Sequence, residues 1–512
     1  MLSLSCQPTN SLARQFRRAF HDKRWPGWQV IIGIETHAQI KSRQKLFSES
    51  LTSSLGEPPN IHVSPFDAAF PGTLPRLNQD CVDLALRTAI ALNSQIQTRS
   101  SFDRKHYFYS DLPSGYQITQ HYAPISLSGH LRIPDRESPI RIMQIQLEQD
   151  TAKSTFDPRT RTSKIDLNRA GIGLLEIVTE PDLRSPEEAG AYVRALQAVL
   201  RAIGASDGNM EAGSLRCDVN VSINPIGKPP GTRCEIKNLN SIKFMQTAIV
   251  YEVHRQRDLL SKEGGVVPQE TRGFNQDTLE TFKMRSKEEA PDYRYMPDPN
   301  LGVLVISPDR VQDITQKMPE LPWVTRARLV RECKLSEQDA DILLNLDAGR
   351  DGRSAVAYFD DLCKQSRKPT VVFNWMVHEL LGRLHTARLT FADNPLSTSQ
   401  LGELIDLVQS GALTGTSGKL LLREMLARPS SQTPTERALA LALLATNQEQ
   451  DIDQVCAAAI AALPSEAEAY RRGHKNVLNK ILGWVMKETR GRADSKQARE
   501  QLLSLLERDV EP

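Results

Sequence analysis

Several things are scarce in this sequence. Its seven cysteines stand singly along 512 residues, with no Cys-x-x-Cys pair. That pattern excludes a disulfide framework and a structural zinc site, and it points to a reducing compartment. No uncharged apolar run reaches the roughly 18 residues that would bury a helix in a bilayer. No Gly-x-x-x-x-Gly-Lys-[Ser/Thr] occurs; Gly415-Thr-Ser-Gly418-Lys419 is a partial look-alike that reads as a loop. Dinucleotide-binding glycines after a strand are missing as well. Neither Ser nor Cys stands in a recognisable nucleophile motif, so nothing here hydrolyses an amide unaided. If the chemistry consumes ammonia, another protein must supply it. There is no internal repeat.

What is present fits a globular protein of more than one domain: 39% hydrophobic and 25% charged residues, with 30 Pro and 28 Gly spread throughout. The formal charge is +2, but residues 1–26 alone are net +4, from Arg14, Arg17, Arg18, Lys23 and Arg24 against Asp22. The remainder is therefore about −2, too little to create a bulk field for nucleic acid, and any such contact must be a local patch. An Arg-rich, Ser-containing, acid-poor start with Leu2, Leu4, Leu12, Phe16 and Phe20 among the cations predicts a mitochondrial transit peptide; a disordered basic tail is the other reading.

Residues 28 to about 307 mix alternating stretches with helices, whereas 317–512 read as almost wholly helical, which predicts a division near residue 310. Ser185 as cap, Pro186 in the first turn and Glu188 as the capping-box acid predict a helix carrying Val193, Leu196, Leu200 and Ile203, ended by Gly204. Further helices are expected over 322–333, 337–346 and 371–389. Asn394, Pro395 and the following Ser/Thr cluster predict a second boundary.

The chemistry lies in the alternation. Val30, Ile32, Ile34, Ala38 and Ile40 form one side of a predicted strand, and Glu35, His37 and Gln39 the other. Met143, Ile145 and Leu147 are set against Gln144, Gln146, Glu148 and Asp150 in the same way. Leu215, Cys217, Val219, Val221 and Ile223 oppose Ser214, Arg216, Asp218, Asn220 and Ser222. Arg233, Glu235 and Lys237 alternate with Cys234 and Ile236, while Glu176 and Glu180 share a face with Val178. An antiparallel sheet with one solvated face would account for any one of these strands. Taken together they collect Glu35, His37, Glu148, Asp150, Glu176, Asp218 and Glu235 beside Arg216, Arg233 and Lys237. Carboxylates with a His suit a hard cation such as Mg²⁺, and the guanidinium and ammonium groups suit phosphate. The combination suggests metal-assisted phosphoryl transfer from a nucleotide.

Ordered motifs along these strands and loops resemble the B subunit of the glutamyl-tRNA(Gln) amidotransferases (in some organisms also aspartyl-tRNA(Asn)), in its mitochondrial form. They include Ile32-Gly-Ile-Glu-Thr-His37, Phe70-Pro-Gly-Thr-Leu-Pro75, Phe102-Asp-Arg-Lys-His-Tyr-Phe-Tyr109, Gly115-Tyr-Gln-Ile-Thr-Gln120, Asp166-Leu-Asn-Arg169, Glu176-Ile-Val-Thr-Glu-Pro-Asp182, Gly213-Ser-Leu-Arg-Cys-Asp218, Lys237-Asn-Leu-Asn-Ser241, Gln269-Glu-Thr-Arg272 and Asp292-Tyr-Arg-Tyr295. Matches cover about 28–300 and resume more weakly at 475–492.

The resemblance implies an α+β fold: a glutamine synthetase-like cradle with an antiparallel sheet over 27–310, a helical linker domain over 311–395, and a small helical tail domain over 396–512 that meets tRNA. It implies ATP and Mg²⁺, with mischarged Glu-tRNA(Gln) as substrate. It also implies a mitochondrial matrix heterotrimer, in which an amidase (the A subunit) and a small third subunit of the C or F type are the partners. In the family's pattern Glu35 and His37 correspond to metal positions, with Glu148 and Asp150 as companions. Glu211, Arg216, Asp218 and Lys237 correspond to the group that meets phosphate and the acceptor end; Arg233 joins the phosphate side by its strand face. Three positions depart from the family: Ser110 and Gly173 where Pro is usual, and Gln146 where His is frequent, a change expected to alter the surroundings of the metal. The zinc-binding cysteines of some relatives are missing between residues 50 and 70.

Between Arg471 and Arg492 stand seven cations and a single acid, Glu488, with Val477, Leu478, Ile481, Leu482, Val485 and Met486 at helical spacing. A solvated helix would explain the charge pattern. Tied to the family's tail, Arg471, Arg472, Lys475, Lys480 and Lys487 become expected tRNA contacts. Two other readings compete with transamidation: an ATP-dependent carboxylate-amine ligase acting on a small molecule, and a non-catalytic protein that only holds tRNA. The basic tail speaks against the first, and the carboxylate face against the second.

Overall fold

The computed structural model describes residues 23–53, 56–286, 292–346, 354–444, 449–489, 493 and 495–508. Most of the expected transit peptide lies outside them. Two compact units meet at Thr325/Arg326.

The first unit is built on a nine-stranded sheet. In chain order its strands are β1 (Trp28–Gln39), β2 (Gln95–Ile96), β3 (Ser126–Leu131), β4 (Ile140–Gln149), β5 (Gly173–Thr179), β6 (Leu215–Pro225), β7 (Cys234–Leu239), β8 (Glu270–Asn275) and β9 (Glu280–Ser286). Their order across the sheet is β9-β8-β7-β6-β1-β5-β4-β3-β2, antiparallel throughout except for the parallel pair β7/β8. The alternation read from the sequence is the alternation of this sheet. Val30, Ile32, Ile34, Ala38 and Ile40 are buried, as are Leu215, Cys217, Val219, Val221 and Ile223, in one core with Cys81, Leu86, Val193, Leu196, Leu200, Met245 and Ile249. Those last residues come from α1 (Gln79–Ala91), α2 (Pro186–Ala202) and α3 (Ile242–Leu260).

α2 starts as expected, with Ser185 Oγ accepting from Glu188 N at 3.1 Å. The Glu188 carboxylate, however, accepts from Arg184 N at 2.8 Å, one residue before the cap, and binds Arg136. Gly204 follows the helix with φ +69, a left-handed conformation that glycine adopts without strain. The division between units falls later than residue 310 because the helix Pro308–Gln316 belongs to the first core: Ile314 is buried there, and Arg310 binds Asp83 on α1 at 2.6 Å.

The second unit has two cores. One runs from Leu329 to Leu443 and the other from Ile452 to Leu506. The boundary expected at residue 395 is therefore corrected. Leu396, Leu401, Leu404 and Ile405 pack in the same core as Phe359 and Leu362, and Tyr358 OH donates to the carbonyls of Leu396 and Ser397 at 3.3 and 3.2 Å. Asn394 and Pro395 are a turn inside one body. The helices expected at 322–333 and 337–346 appear as Pro322–Cys333 and Glu337–Leu346. The stretch expected at 371–389 is helical over Pro369–Thr386 but widens to a π-helix at Trp375–Leu381. The glycine-rich look-alike is no loop: it opens the helix Gly415–Ala427, capped by Thr414, with Lys419 paired to Glu379 at 2.6 Å.

Candidate active site

The antiparallel register turns the polar strand faces into rows. Arg216, His37, Glu176 and Gln146 lie side by side across β6, β1, β5 and β4. The next row is Asp218, Glu35, Val178 and Gln144. Glu148 stands opposite Leu174, one step further along β4.

His37 is the hub. Its Nε2 lies 3.5 Å from Glu35, 3.9 Å from Glu148 and 3.9 Å from Glu176. Two trios, Glu35/His37/Asp218 and His37/Glu148/Glu176, each bring their ligand atoms within 4.8 Å of one another. Burial raises the Glu176 carboxyl well above its ordinary range, and the charges of Glu148 and Glu35 add to that rise. Gln146 donates to Glu176 at 2.5 Å and to Thr119 Oγ1 at 3.2 Å, so it orients a carboxylate of the cluster.

The small sheet of Asp103–His106, Tyr116–Thr119 and Met296–Pro297 contributes the opposing wall. Lys105 Nζ lies 3.8 Å from Glu148 and 5.2 Å from the centre of the Tyr293 ring. Burial works against the Lys105 charge, but Glu148, Tyr295, Glu176 and Tyr107 together more than offset it and the pKa is raised. Gln117 donates to Glu148 Oε1 at 2.8 Å, while Glu148 Oε2 is buried with no hydrogen-bond partner.

Beside this cluster opens a cavity of about 300 Å³. Its lining includes His37, Glu148, Asp150, Arg216, Asp218 and Lys237. Asp150 is almost fully enclosed and accepts from Arg216 at 2.8 Å and from Gln39 at 3.2 Å. It thereby holds Arg216, whose Nε is buried and makes no hydrogen bond. Lys237 reaches the cavity through an irregularity: the register of β6 and β7 shifts around Asp218, and Asn238 takes φ +64. The extra residue re-aims the strand. Lys237 Nζ then contacts Asp218 at 2.5 Å and Glu235 at 3.1 Å, and although burial opposes its charge these acids raise its pKa.

Of the expected site residues, Glu35, His37, Glu148, Asp150, Arg216, Asp218 and Lys237 come together. Two do not. Glu211 is exposed in the turn before β6 and does not line the cavity. Arg233 has the right face but precedes the first residue of β7; it is exposed and also outside the lining. The site further includes Glu176, Lys105, Gln117 and Tyr107. Glu176 is legible from its strand face; Lys105 and Gln117 stand on strands too short for alternation to mark them, and Tyr107 follows the end of one of those strands.

In the second unit the basic cluster is partly neutralised. Arg472 pairs with Glu468, and Lys480 with Glu466 at 2.5 Å. Both acids lie just upstream, on the helix Pro464–Arg471, before the cation-rich stretch begins. Lys475 and Lys487 are exposed, while Arg490 and Arg492 lie outside the described residues.

Residues 30–312 match the family model of the GatB/GatE catalytic domain, and residues 357–506 match that of the GatB domain. The mitochondrial glutamyl-tRNA(Gln) amidotransferase B subunit of Laccaria bicolor is 61% identical, over 95% of this chain and 94% of that protein. Its mitochondrial counterpart in Cryptococcus neoformans is 45% identical over 94% of each chain. The aspartyl/glutamyl-tRNA(Asn/Gln) amidotransferase B subunit of Rickettsia rickettsii is 42% identical over 91% of this chain and 95% of its own. With one family model spanning more than half its length and relatives this similar from end to end, the chain belongs to the B-subunit family of the glutamyl-tRNA(Gln) amidotransferases.

Proposed function

We propose that this chain is the amidating subunit of a mitochondrial glutamyl-tRNA(Gln) amidotransferase, a glutamine-dependent carbon–nitrogen ligase that converts Glu-tRNA(Gln) into Gln-tRNA(Gln). The reaction and the organelle follow the names of its relatives. The observation that carries the chemistry is the joining of a carboxylate–histidine cluster to Arg216 and Lys237 at one cavity.

The cluster fits Mg²⁺. Its donors are carboxylate oxygens and one imidazole nitrogen, the buried Glu148 Oε2 accepts no hydrogen bond, and Glu176, whose carboxyl is raised first by burial and then by the charges of Glu148 and Glu35, would be relieved by a cation. Glu35, His37 and Glu148 would hold the ion, with Glu176 beside them. Bound there, Mg²⁺ would neutralise charge on the transferring phosphoryl group.

The rest falls to the chain's own side chains. Arg216 and Lys237 orient the phosphates of ATP so that an oxygen of the glutamyl carboxylate can attack the γ-phosphorus as ADP leaves. Asp150 acts through Arg216 as a positioning residue. Ammonia then attacks the acyl carbon, the carbon–oxygen bond to phosphate breaks, and the nitrogen gives up one proton. Glu148 and Asp218 line the cavity and can accept it. Since the chain has no amidase nucleophile, an amidase partner, the A subunit, supplies the ammonia, and a small third subunit of the C or F type completes the complex. In this reading the first unit is the catalytic cradle and Lys475 and Lys487 of the second meet tRNA.

A transamidation assay on the purified complex, with and without mischarged tRNA, tests the proposal. Gln-tRNA(Gln) should form only when ATP, Mg²⁺ and Glu-tRNA(Gln) are all present. ATP turnover driven by free glutamate, with no tRNA dependence, would favour the small-molecule ligase instead.

A further inference from the structure

One feature of the first unit takes no part in the site just described. Residues Lys153–Asp157 and Thr162–Asp166 form a two-stranded hairpin that pairs with no other strand among the described residues. Lys153, Ser154, Thr155 and Phe156 are exposed in succession, as are Arg159 through Lys164 around the turn. Phe156 is 61% exposed.

The charges on this hairpin stand apart from the paired arginines of the unit. Arg104, Arg136, Arg141, Arg255, Arg272 and Arg310 of the same unit are all bound to carboxylates. Lys153, Arg159, Arg161 and Lys164 make no ion pair among the described residues. The hairpin's two acids are occupied at home. Asp157 accepts from the backbone of Arg159 at 2.9 Å, which shapes the turn, and Asp166 accepts from Asn60 N at 3.1 Å and Asn168 N at 3.0 Å at the root. Four cations are thus held on an exposed ribbon with no local function for their charge.

The root joins the cavity. β4 ends at Gln149; Asp150 and Thr151 line the cavity, and the hairpin begins two residues later. Arg169 clamps that junction by donating to the carbonyls of Thr151 at 2.9 Å and Ala152 at 2.6 Å. Asn60 ties down the returning strand through Ile165 O at 3.1 Å and Leu167 N at 2.7 Å. The ribbon is therefore fixed at its base to the wall of the site.

We infer that this hairpin is a second nucleic-acid contact: its cations hold the phosphates of the RNA strand whose aminoacylated end enters the cavity, and Phe156 offers a surface on which an unpaired base can stack. The inference rests on the tRNA substrate proposed above. Length supports it. Six residue steps lead from Thr151 to Asp157, where the turn begins, about 20 Å of extended chain at ~3.3 Å per residue. A stacked strand places roughly one phosphate every 3.4 Å, so the turn lies about six nucleotides back from the reacting end. Arg159 and Arg161 would meet the strand there, with Lys164 and Lys153 nearer the cavity. Base–aromatic stacking tolerates any sequence, which suits a contact made outside the recognition of tRNA identity.

The test uses the whole complex carrying Arg159→Ala, Arg161→Ala and Lys164→Ala together, and separately Phe156→Ala. Each single-strand phosphate contact contributes about 0.7 to the salt slope of binding, so the triple variant should lose about two units of slope. Over a fourfold rise in salt, wild type should then lose about twenty-fold more affinity for Glu-tRNA(Gln) than the variant does. KM for the tRNA should rise while kcat, KM for ATP and glutaminase activity stay put. The charge-preserving pair Arg159→Lys and Arg161→Lys should retain the slope. An unchanged slope and KM in the triple variant would overturn the inference. So would loss of the assembled complex on size exclusion, which would give the hairpin to a protein partner, or a rise in KM for ATP alone. Failure of wild type to make Gln-tRNA(Gln) would instead remove the proposed function, so the two failures are distinguishable.

Discussion

Lys45 is a fully enclosed cation, and its removal or isolation gives a quantitative test of how the cradle is held together. Its Nζ donates to Asp67 Oδ2 at 3.0 Å, His62 O at 2.7 Å and Leu167 O at 3.2 Å, with neither charged side chain reached by solvent. Asp67 also accepts from Ser64 N and Ser48 Oγ. The pair joins three loops, and the last of them leads through Gly171 N to the carbonyl of Asp150 at 3.0 Å. Asp67→Ala would leave the ammonium with two carbonyls and no counter-charge. Breaking one partner of a buried pair in this way costs about 3–5 kcal/mol. For a domain of this size that is a fall in Tm of roughly 4–7 °C.

The pH dependence has a definite sign. Burial already lowers the Lys45 pKa against the attraction of Asp67, and without Asp67 it must fall further. A lysine whose folded pKa lies below its unfolded value makes the fold more stable as pH rises toward that unfolded value. The deficit of Asp67→Ala should therefore shrink at alkaline pH. Thermal and urea unfolding of the purified chain would measure both effects. Replacing the pair with apolar groups, Lys45→Met with Asp67→Leu, should recover most of the loss. If Asp67→Ala stayed within about 1 kcal/mol of wild type, or the double variant were no better than the single one, the pair would not carry the load assigned to it.

Glu35→Ala or His37→Ala should abolish Gln-tRNA(Gln) formation, with ammonium as well as with glutamine, while the partner's glutaminase still releases ammonia; full amidation by the double variant would remove these residues from the site. Because the Glu176 pKa is raised in the fold, the metal-free chain should lose stability as pH climbs from the ordinary carboxylate range toward that raised value. Added Mg²⁺, which favours the ionised form, should raise Tm more at high pH than at low, and a pH-independent shift would contradict the placement. In the tail, Lys475→Ala with Lys487→Ala should weaken tRNA binding and flatten its salt slope by about 1.4 to 1.8 at an unchanged maximal rate, whereas Lys480→Ala should do less because that ammonium is already paired.

Much of the cradle is legible in the sequence because a half-buried strand writes its two faces into alternate residues. Glu35, His37, Glu148, Arg216, Asp218 and Lys237 can be found that way. What alternation lacks is position along the strand. Arg233 shares the face of Lys237 but stands before the strand begins, and Glu211 precedes β6 in a turn, so neither is carried to the cavity. Lys105 and Gln117 sit on strands of four residues, which offer too few alternations to separate the faces. The boundary at Pro395 fails for a different reason. Turn chemistry marks a change of chain direction, and whether the cores on either side are separate is decided by long-range packing such as that of Tyr358 against Leu396. The tail's cations look freer in sequence than they are because Glu466 and Glu468 approach them from the preceding helix.

The rows of the sheet also govern when in the life of the molecule it can act. His37 pairs across strands with Arg216, about 180 residues further along the chain, while Glu176 enters between β1 and β4. Contacts so distant in sequence form late, since the loops between them must close before the pairing rewards it. A chain ending short of β6 would have the His and the first carboxylates but no Arg216, Asp218 or Lys237, and hence no phosphate side to its pocket. The strands β6 and β7 that add Val219, Val221 and Ile236 to the hydrophobic core also bring Arg216, Asp218 and Lys237 to the charge constellation, so on the proposed chemistry a partly folded chain has no means of spending ATP.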